Sequence, residues 1–339
     1  MQFTTDEIGD FIVGNLTDHP ADIVMLVSQK FGISRQKAHR HLLKKIKQGK
    51  IVKVGQTRAS RYFLSTAQVF QFPLKLNSKL QEDRVWSRYV RPMLKGFPEN
   101  VIGICQYGFT EILNNAIDHS DGKNVLCQFS TRNDKISMIV IDDGIGIFRK
   151  IQNALHLDSV REAILHLSKG KFTTDPQKHT GEGIFFSSRM FDNFCIISDN
   201  LFFTFSEGDW LLSQERTNEI RKGTYIEMEI AISSRRTTKD VFDEYANAER
   251  GFHKTIVAVA LSADPNDPHT SRSQAKRLLV GLDRFKNTVL DFRDVQGVGP
   301  AFIDEIFRVF QNEHPDIAIT CVRQTPEIDQ MIQRVRLTT

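Results

Sequence analysis

The chain has 339 residues and a formal net charge of +4, with 40% hydrophobic and 25% charged residues. This composition is that of an ordinary globular protein, and it excludes a disordered chain, a collagen-like fibre and a coiled coil. The length is sufficient for about two or three domains, each with its own core.

Several features predict a cytoplasmic protein without membrane association. No apolar stretch approaches the roughly 20 residues that a membrane-spanning helix needs. Residues 1–7 lack the basic flank and the apolar segment of a secretory signal. The cysteines lie far apart and form no C-x-x-C pair, which favours reduced thiols over a disulfide framework or a zinc site.

Positive charge is concentrated near the N-terminus. Between Lys30 and Arg61 there are 11 Lys and Arg residues and no Asp or Glu. Such an asymmetry is a common footprint of nucleic-acid binding. The segment 30–61 therefore predicts DNA as a partner.

The same region has the signals of helices followed by a hairpin. Apolar residues at helical spacing predict a helix that Gly32 ends. Ser34 is suited to cap a second helix, and two short β segments follow it. Residues 1–66 resemble a winged helix-turn-helix, in which the second helix enters the major groove and nearby cations contact phosphates. The resemblance implies that DNA is contacted by Arg35, Gln36, His39, Arg40, Lys44 and Arg58. A basic helical domain that binds protein is the alternative.

Two segments are interpreted as linkers. Residues 65–78 lack helical periodicity and contain Pro73, and residues 233–239 are polar and basic. These boundaries predict a central domain at 79–232 and a C-terminal domain at 251–339.

The first candidate functional segment is a predicted helix at residues 109–119 with an apolar stripe on one side. Glu111, Asn115 and Asp118 share another face of that helix. A carboxylate can accept a proton and an amide oxygen can bind Mg²⁺, so this pair suits polyphosphate chemistry. A solvated helix face is the alternative for this pattern alone.

The second segment is an apolar strand, residues 136–141, that ends at Asp142. This carboxylate could accept a hydrogen bond from an exocyclic amine such as adenine N6, whereas guanine presents a carbonyl there. Gly144 and Gly146 follow and allow the backbone to approach a ligand closely. A plain turn after a strand is the alternative.

The third segment, residues 171–184, is a polar loop that runs into glycines at a predicted helix start. Free backbone amides at such a start can hold an anion. A lone G-x-G is weak evidence, and the chain contains no Walker motif.

In this order and spacing, the three segments resemble the N, G1 and G2 boxes of the Bergerat-fold (GHKL, histidine-kinase-like) ATPases. The resemblance implies that the chain binds ATP and Mg²⁺. It implies that Glu111 is the general base, that Asn115 is the Mg²⁺ ligand and that Asp142 recognises adenine. Thr224, after Gly223, matches the threonine that assists the adenine-binding aspartate in this family.

The resemblance also implies a set of glycines and loop residues at the cofactor. The hinge of an ATP lid corresponds to Gly144 and Gly146. The remaining cofactor contacts correspond to Lys171, Thr180, Gly181 and Gly183.

The fold that the resemblance implies is an α/β sandwich, with helices on one face of a mixed, mostly antiparallel sheet. The candidate strands are 125–131, 135–141, 194–198, 201–205 and 224–230. The whole chain is therefore predicted to be an α/β (α+β) multidomain protein.

Some features depart from particular branches of that family. The segment 79–99 is too short for the phosphoacceptor hairpin of sensor histidine kinases, and Asp118 stands where those kinases often have Lys. A gyrase-type transducer domain is not recognisable after residue 232. The overall pattern is most similar to anti-sigma-factor serine kinases and their relatives.

Residues 251–339 alternate β and α segments and resemble STAS-like domains, which are relatives of anti-anti-sigma factors. The loop that carries a phosphorylatable serine in such regulators corresponds to 297–301, where Gly299 and Pro300 stand and no hydroxyl is present. We therefore expect a surface for a protein partner here. A small domain that only stabilises the ATPase is the alternative.

Together these features predict a cytosolic, DNA-binding regulator. Its lid, from about Ile147 to Gly183, would be ordered by Mg-ATP and would control DNA or partner binding. The alternative is an anti-sigma-type serine/threonine kinase or a slow ATPase that acts on a protein partner. A scaffold that binds ATP for stability is a third possibility.

Overall fold

The computed structural model describes residues 4–48, 50–54, 61–64, 68–77, 79–132, 134–171, 181–199, 201–206, 209–214, 222–247, 251–262 and 269–337. Over these residues the chain is a mixed α/β protein in which most strand pairs are antiparallel, as predicted. In the same ranges, no helix combines the length and the apolar character needed to cross a membrane.

The N-terminal region consists of three helices and an antiparallel hairpin. The elements are α1 (Thr5–Asn15), α2 (Ile23–Phe31), α3 (Arg35–Lys47), β1 (Ile51–Val54) and β2 (Arg61–Leu64). Gly32 ends α2 in the left-handed conformation, at a φ of 60°. The hydroxyl of Ser34 caps α3 by accepting a hydrogen bond from the Lys37 amide at 3.2 Å. The helices enclose an apolar core of their own.

The hairpin connects this region to the rest of the molecule. Phe63 of β2 stacks on Phe97, with ring centroids 4.8 Å apart, and it belongs to the main apolar core. Lys95 forms an ion pair with Asp18 at 2.7 Å. These two contacts, one from the hairpin and one from the segment after α1, join the N-terminal region to the central region.

A seven-stranded sheet forms the centre of the molecule. Its strands are β3 (Gln68–Lys75), β4 (Asn124–Arg132), β5 (Lys135–Asp142), β6 (Asn193–Ser198), β7 (Leu201–Ser206), β8 (Asp209–Gln214) and β9 (Tyr225–Ala231). The spatial order is β3-β4-β5-β9-β6-β7-β8, and each of these neighbouring pairs is antiparallel. Burial alternates along β9, so one face of the sheet carries the core.

The expected linker at 65–78 is instead, over Gln68–Lys75, an edge strand that pairs with β4 along its whole length. Pro73 is compatible with this position because an edge strand leaves one side of its backbone outside the ladder. The second expected linker, 233–239, leads directly into a helix that Thr237 caps. The central fold therefore begins earlier in the chain than the sequence indicates.

The central helices pack around this sheet. They are α4 (Glu82–Val85), which continues as a π-helix (Trp86–Val90) and a 3-10 helix (Arg91–Leu94), then α5 (Glu99–His119), α6 (Ile147–Leu155), α7 (Val160–Lys169), α8 (Gly183–Met190) and α9 (Thr238–Tyr245). Phe109 of α5 and Met228 of β9 are both buried in the same apolar core. The apolar stripe of α5 thus lies against the sheet, which leaves another face of the helix for polar residues.

The C-terminal region is a three-stranded parallel sheet with helical connections. After a short β10 (Ala246–Asn247) and β11 (Gly251–Phe252) pair come β12 (Lys254–Ala258), a 3-10 turn (Val259–Ser262), α10 (Arg272–Leu279), β13 (Asn287–Asp291), α11 (Pro300–Asp304), a π-helix (Glu305–Phe310), α12 (Gln311–Glu313), β14 (Ala318–Val322) and α13 (Pro326–Leu337). The strand order is β12-β13-β14. The predicted alternation of strands and helices is present in this region.

Helix α7 joins the central and C-terminal regions. The ammonium of Lys169 is buried and donates hydrogen bonds to the carbonyls of Arg277, at 3.2 Å, and Val280, at 2.9 Å. Thr255 donates its hydroxyl proton to the Lys169 carbonyl at 2.8 Å. The two regions also share a single apolar cluster.

Burial of Lys169 predicts a specific pH dependence of stability. Burial lowers the pKa of its ammonium to about 7, whereas an unfolded lysine titrates near 10.4. Between about pH 7 and pH 10 the unfolded chain keeps a proton that the folded chain has lost, so the free energy of unfolding rises with pH. We expect Lys169→Met to reduce this rise, as measured by urea unfolding across that range. Identical slopes in the two proteins would contradict it.

Candidate functional site

A cavity of about 360 Å³ lies between α5, the end of β5 and the start of α8. This volume falls within the range of about 300–1,000 Å³ that is typical of small-molecule sites. The cavity wall includes seven of the residues selected from the sequence: Glu111, Asn115, Asp142, Gly146, Gly181, Gly183 and Thr224. The fold thus brings three distant segments of the chain to one cavity.

Asp142 is held in a fixed orientation at the wall of this cavity. The residue is only 7% exposed. The carboxylate accepts hydrogen bonds from the Gly144 amide at 2.9 Å and the Thr224 amide at 3.3 Å. Burial raises the pKa of the Asp142 carboxyl, and the hydrogen bonds from Gly144 and Thr224 oppose that effect. The hydroxyl oxygen of Thr224 accepts a hydrogen bond from the Ile147 amide at 3.0 Å.

The adjacent carboxylate, Asp143, has a different environment. It is exposed, and it accepts hydrogen bonds from the amides of Lys123, at 2.7 Å, and Asn124, at 2.8 Å. Hydrogen bonds from Asn124 and Lys123 lower its pKa to about 2. Asp143 therefore stabilises the loop between α5 and β4, whereas Asp142 faces the cavity.

The start of α8 lies directly against Glu111. A Cβ atom at Gly183 would be only 2.1 Å from Glu111 Oε2, so a larger residue here would displace the Glu111 carboxylate. Burial raises the pKa of Tyr107, and the negative charges of Glu111 and Glu182 raise it further. The Glu111 carboxylate is thus positioned near the backbone at the N-terminus of α8.

Asn115 lies one helical turn after Glu111 and also lines the cavity. Over the described residues, no group of three or more His, Cys, Asp or Glu side chains is placed to hold a metal by itself. A magnesium ion at Asn115 would therefore take further oxygen ligands from a bound molecule, which is how Mg²⁺ is usually held with phosphates. The donor set and the cavity fit Mg-ATP in this sense.

Two of the predicted residues, Gly144 and Lys171, do not line the cavity. Gly144 lies behind it, where a Cβ would be 2.0 Å from the Ser120 carbonyl oxygen. The ammonium of Lys171 donates to the Arg284 carbonyl at 2.8 Å and lies 4.7 Å from the centroid of the Phe285 ring. A turn with positive φ at Gly170 and Lys171 directs this side chain to the C-terminal region. Thr180 lies outside the described residues.

Several cavity residues were not selected from the sequence. The most informative is Lys150, which lines the cavity beside Ile147 and Ile151 on the same side of α6. Lys150 lies outside the three sequence motifs, and no local signal in the sequence points to it. His119 also lines the cavity, one turn after Asn115.

The residues expected at a nucleic acid lie on α3. Gln36, Arg40 and Lys44 are exposed and follow one another at four-residue intervals, so they form a row along the helix. Arg35 is exposed and His39 is half-buried. Burial lowers the pKa of His41, and the charges of Lys37, Lys44 and Arg40 lower it further. Arg58 lies outside the described residues.

Comparison with known proteins concerns the C-terminal region. The sequence model of a family described as a STAS-like domain of unknown function (DUF4325) matches residues 274–328. This part of the chain is STAS-like. The match extends from α10 to the first turn of α13 and includes β13 and β14. The predicted STAS-like identity of the C-terminal region is confirmed, and no curated protein matches the chain.

Proposed function

We propose that this chain is an ATP-binding regulator that contacts DNA through α3 and whose nucleotide state controls DNA or partner binding. The observation that carries the proposal is the convergence of Glu111, Asn115 and Asp142 on one cavity, although they come from separate segments. The basic, exposed row on α3 supports the DNA component.

In this proposal Asp142 selects the base. Its carboxylate accepts a hydrogen bond from the exocyclic amine of adenine, while the Gly144 and Thr224 amides fix its orientation. Guanine would place a carbonyl oxygen opposite the carboxylate, so the hydrogen bond between the base and Asp142 would be missing, at a cost of about 1–3 kcal/mol. The protein should therefore prefer adenine nucleotides.

Other residues of the cavity wall suit the phosphates. Asn115 offers an amide oxygen to Mg²⁺, which neutralises phosphate charge when bound. The start of α8 offers backbone amides at Gly181 and Gly183. The cavity wall thus offers groups for a nucleoside and groups for a polyphosphate chain.

The DNA component predicts a salt-dependent interaction. A chain with both Arg40→Ala and Lys44→Ala should bind duplex DNA more weakly, with the slope of log K against log salt reduced by about 1 or 2. Arg132→Ala, at an exposed end of β4, is the matched control and should behave as the wild type. Fluorescence anisotropy at several salt concentrations measures the affinity and the salt slope of each protein.

The same assay tests regulation when it is repeated with and without Mg-ATP. We expect DNA affinity to change at least severalfold on adding the nucleotide. An affinity that is the same in both conditions would contradict the proposed regulation, and equal salt slopes in the double variant and the control would contradict the α3 interface.

A second function is favoured by the position of Glu111. A carboxylate beside the amides of α8 is suited to accept a proton from water or from a protein hydroxyl. This arrangement supports a slow ATPase or a serine/threonine kinase that acts on a protein partner, with the STAS-like region as one surface for that partner. Incubation with γ-labelled ATP and lysate distinguishes the two, since the label passes to free phosphate or to protein.

A further inference from the structure

The charged groups that line the cavity are unevenly distributed. Over the described residues, the ionisable side chains in its wall are the carboxylates of Glu111, Asp142 and Glu182, the His119 imidazole and the ammonium of Lys150. A nucleotide polyphosphate brings several negative charges to this wall. Lys150 is the group in this set that is best suited to oppose them.

The helix that carries Lys150 is fixed at its start by a contact with Thr224. Helix α6 begins directly after Gly146, and its first amide, that of Ile147, is bonded to the Thr224 hydroxyl. Phe148 is fully buried in the core and fixes the rotation of the helix. The side of α6 that carries Lys150 therefore faces the cavity.

The ammonium of Lys150 forms an ion pair with Asp121, which lies just after α5. The Asp121 side chain is 56% exposed and that of Lys150 is 26% exposed. An ion pair this open to water contributes little to stability. A phosphate carries more charge than one carboxylate, so it can replace Asp121 as the partner of the ammonium at small cost.

A basic residue of α6 that forms an ion pair does not necessarily line the cavity, as the neighbouring Arg149 shows. Arg149 also forms an ion pair, with Asp199, but it is absent from the cavity wall. The two adjacent cations thus differ in one respect that matters here, which is access to the cavity. They form a matched pair for an experiment.

We propose that Lys150 binds the phosphate chain of the nucleotide, exchanging Asp121 for phosphate when the nucleotide enters. This inference rests on the proposed function and goes further, because it assigns recognition of phosphate to a residue outside the predicted motifs. Lys150 thereby discriminates nucleotides from adenosine, which has the same base and sugar but no phosphate.

The test is calorimetric titration of the full chain with Mg-ATP, Mg-ADP and adenosine. Lys150→Ala should weaken binding of both nucleotides by about 10- to 100-fold and that of adenosine by less than about twofold. Arg149→Ala should leave all three affinities unchanged. Asp121→Asn should strengthen nucleotide binding by about two- to fivefold, since it removes the competing carboxylate.

The outcomes separate this inference from the proposed function. If the wild type binds Mg-ATP but Lys150→Ala loses no more affinity than Arg149→Ala, the assignment of Lys150 is overturned and the proposed function stands. Equal losses for ATP and adenosine in Lys150→Ala would also overturn it, since the lysine would then only maintain the shape of the cavity. If the wild type binds neither ATP nor adenosine, the proposed function fails and this inference fails with it.

Discussion

Glu111→Gln should leave the affinity for Mg-ATP within about threefold of the wild type and lower ATP turnover by about 100- to 10,000-fold. The amide keeps the shape of the side chain beside Gly183, so the cavity is retained. It cannot accept the proton that a general base must accept, so the chemical step is lost. Calorimetry measures the binding, and release of labelled phosphate measures the turnover.

The matched control for this variant is Glu99→Gln, at the exposed first turn of α5 and far from the cavity along the helix. It should keep both the affinity and the turnover of the wild type. Turnover in Glu111→Gln equal to that in the control would contradict the role of Glu111 as a base.

Asp142→Asn should weaken binding of ATP by about 10- to 100-fold. The carboxylate accepts hydrogen bonds from the Gly144 and Thr224 amides, and in the proposal it also accepts one from adenine. An asparagine side chain presents an NH₂ group to at least one of these donors, so one buried donor loses its partner. Calorimetry with ATP and with GTP measures the loss and the change in base preference.

Asp143→Asn is the control for this prediction, because the two carboxylates are adjacent but only Asp142 lines the cavity. The control should bind ATP within a few-fold of the wild type, although it weakens the hydrogen bonds to the Lys123 and Asn124 amides. Equal losses of ATP affinity in the two variants would show that the loop, rather than the Asp142 carboxylate, determines binding.

The sequence predicts the main elements well where the local signals are strong. The strand before Asp142 is a run of apolar residues, and Ser34 and Gly32 bracket a turn between two helices, so these elements are found at the predicted places. The meeting of Glu111 and Asp142 at one cavity was available only from the resemblance to a family, since nothing local links the two segments.

The errors have identifiable physical causes. The sequence predicts a linker where strand β3 lies because Pro73 disfavours a central strand, yet an edge strand tolerates proline. The direction of Lys171 depends on the positive φ of Gly170 and of Lys171 itself, which a non-glycine residue adopts only in a particular tertiary context. The sequence does not predict Lys150 as a site residue, because its access to the cavity depends on the rotation of α6, which buried residues such as Phe148 determine.

The aromatic contacts between the two halves of the molecule have a practical and an evolutionary consequence. Phe185 lines the cavity, and its ring lies 4.4 Å from that of Phe252 and 5.1 Å from that of Tyr245, both of which come after residue 232. A fragment that stopped at residue 232 would expose this aromatic surface and leave Lys169 without its carbonyl partners. Recombination between genes that separated the cavity from the residues after 232 would expose this surface, which favours inheritance of the two parts together.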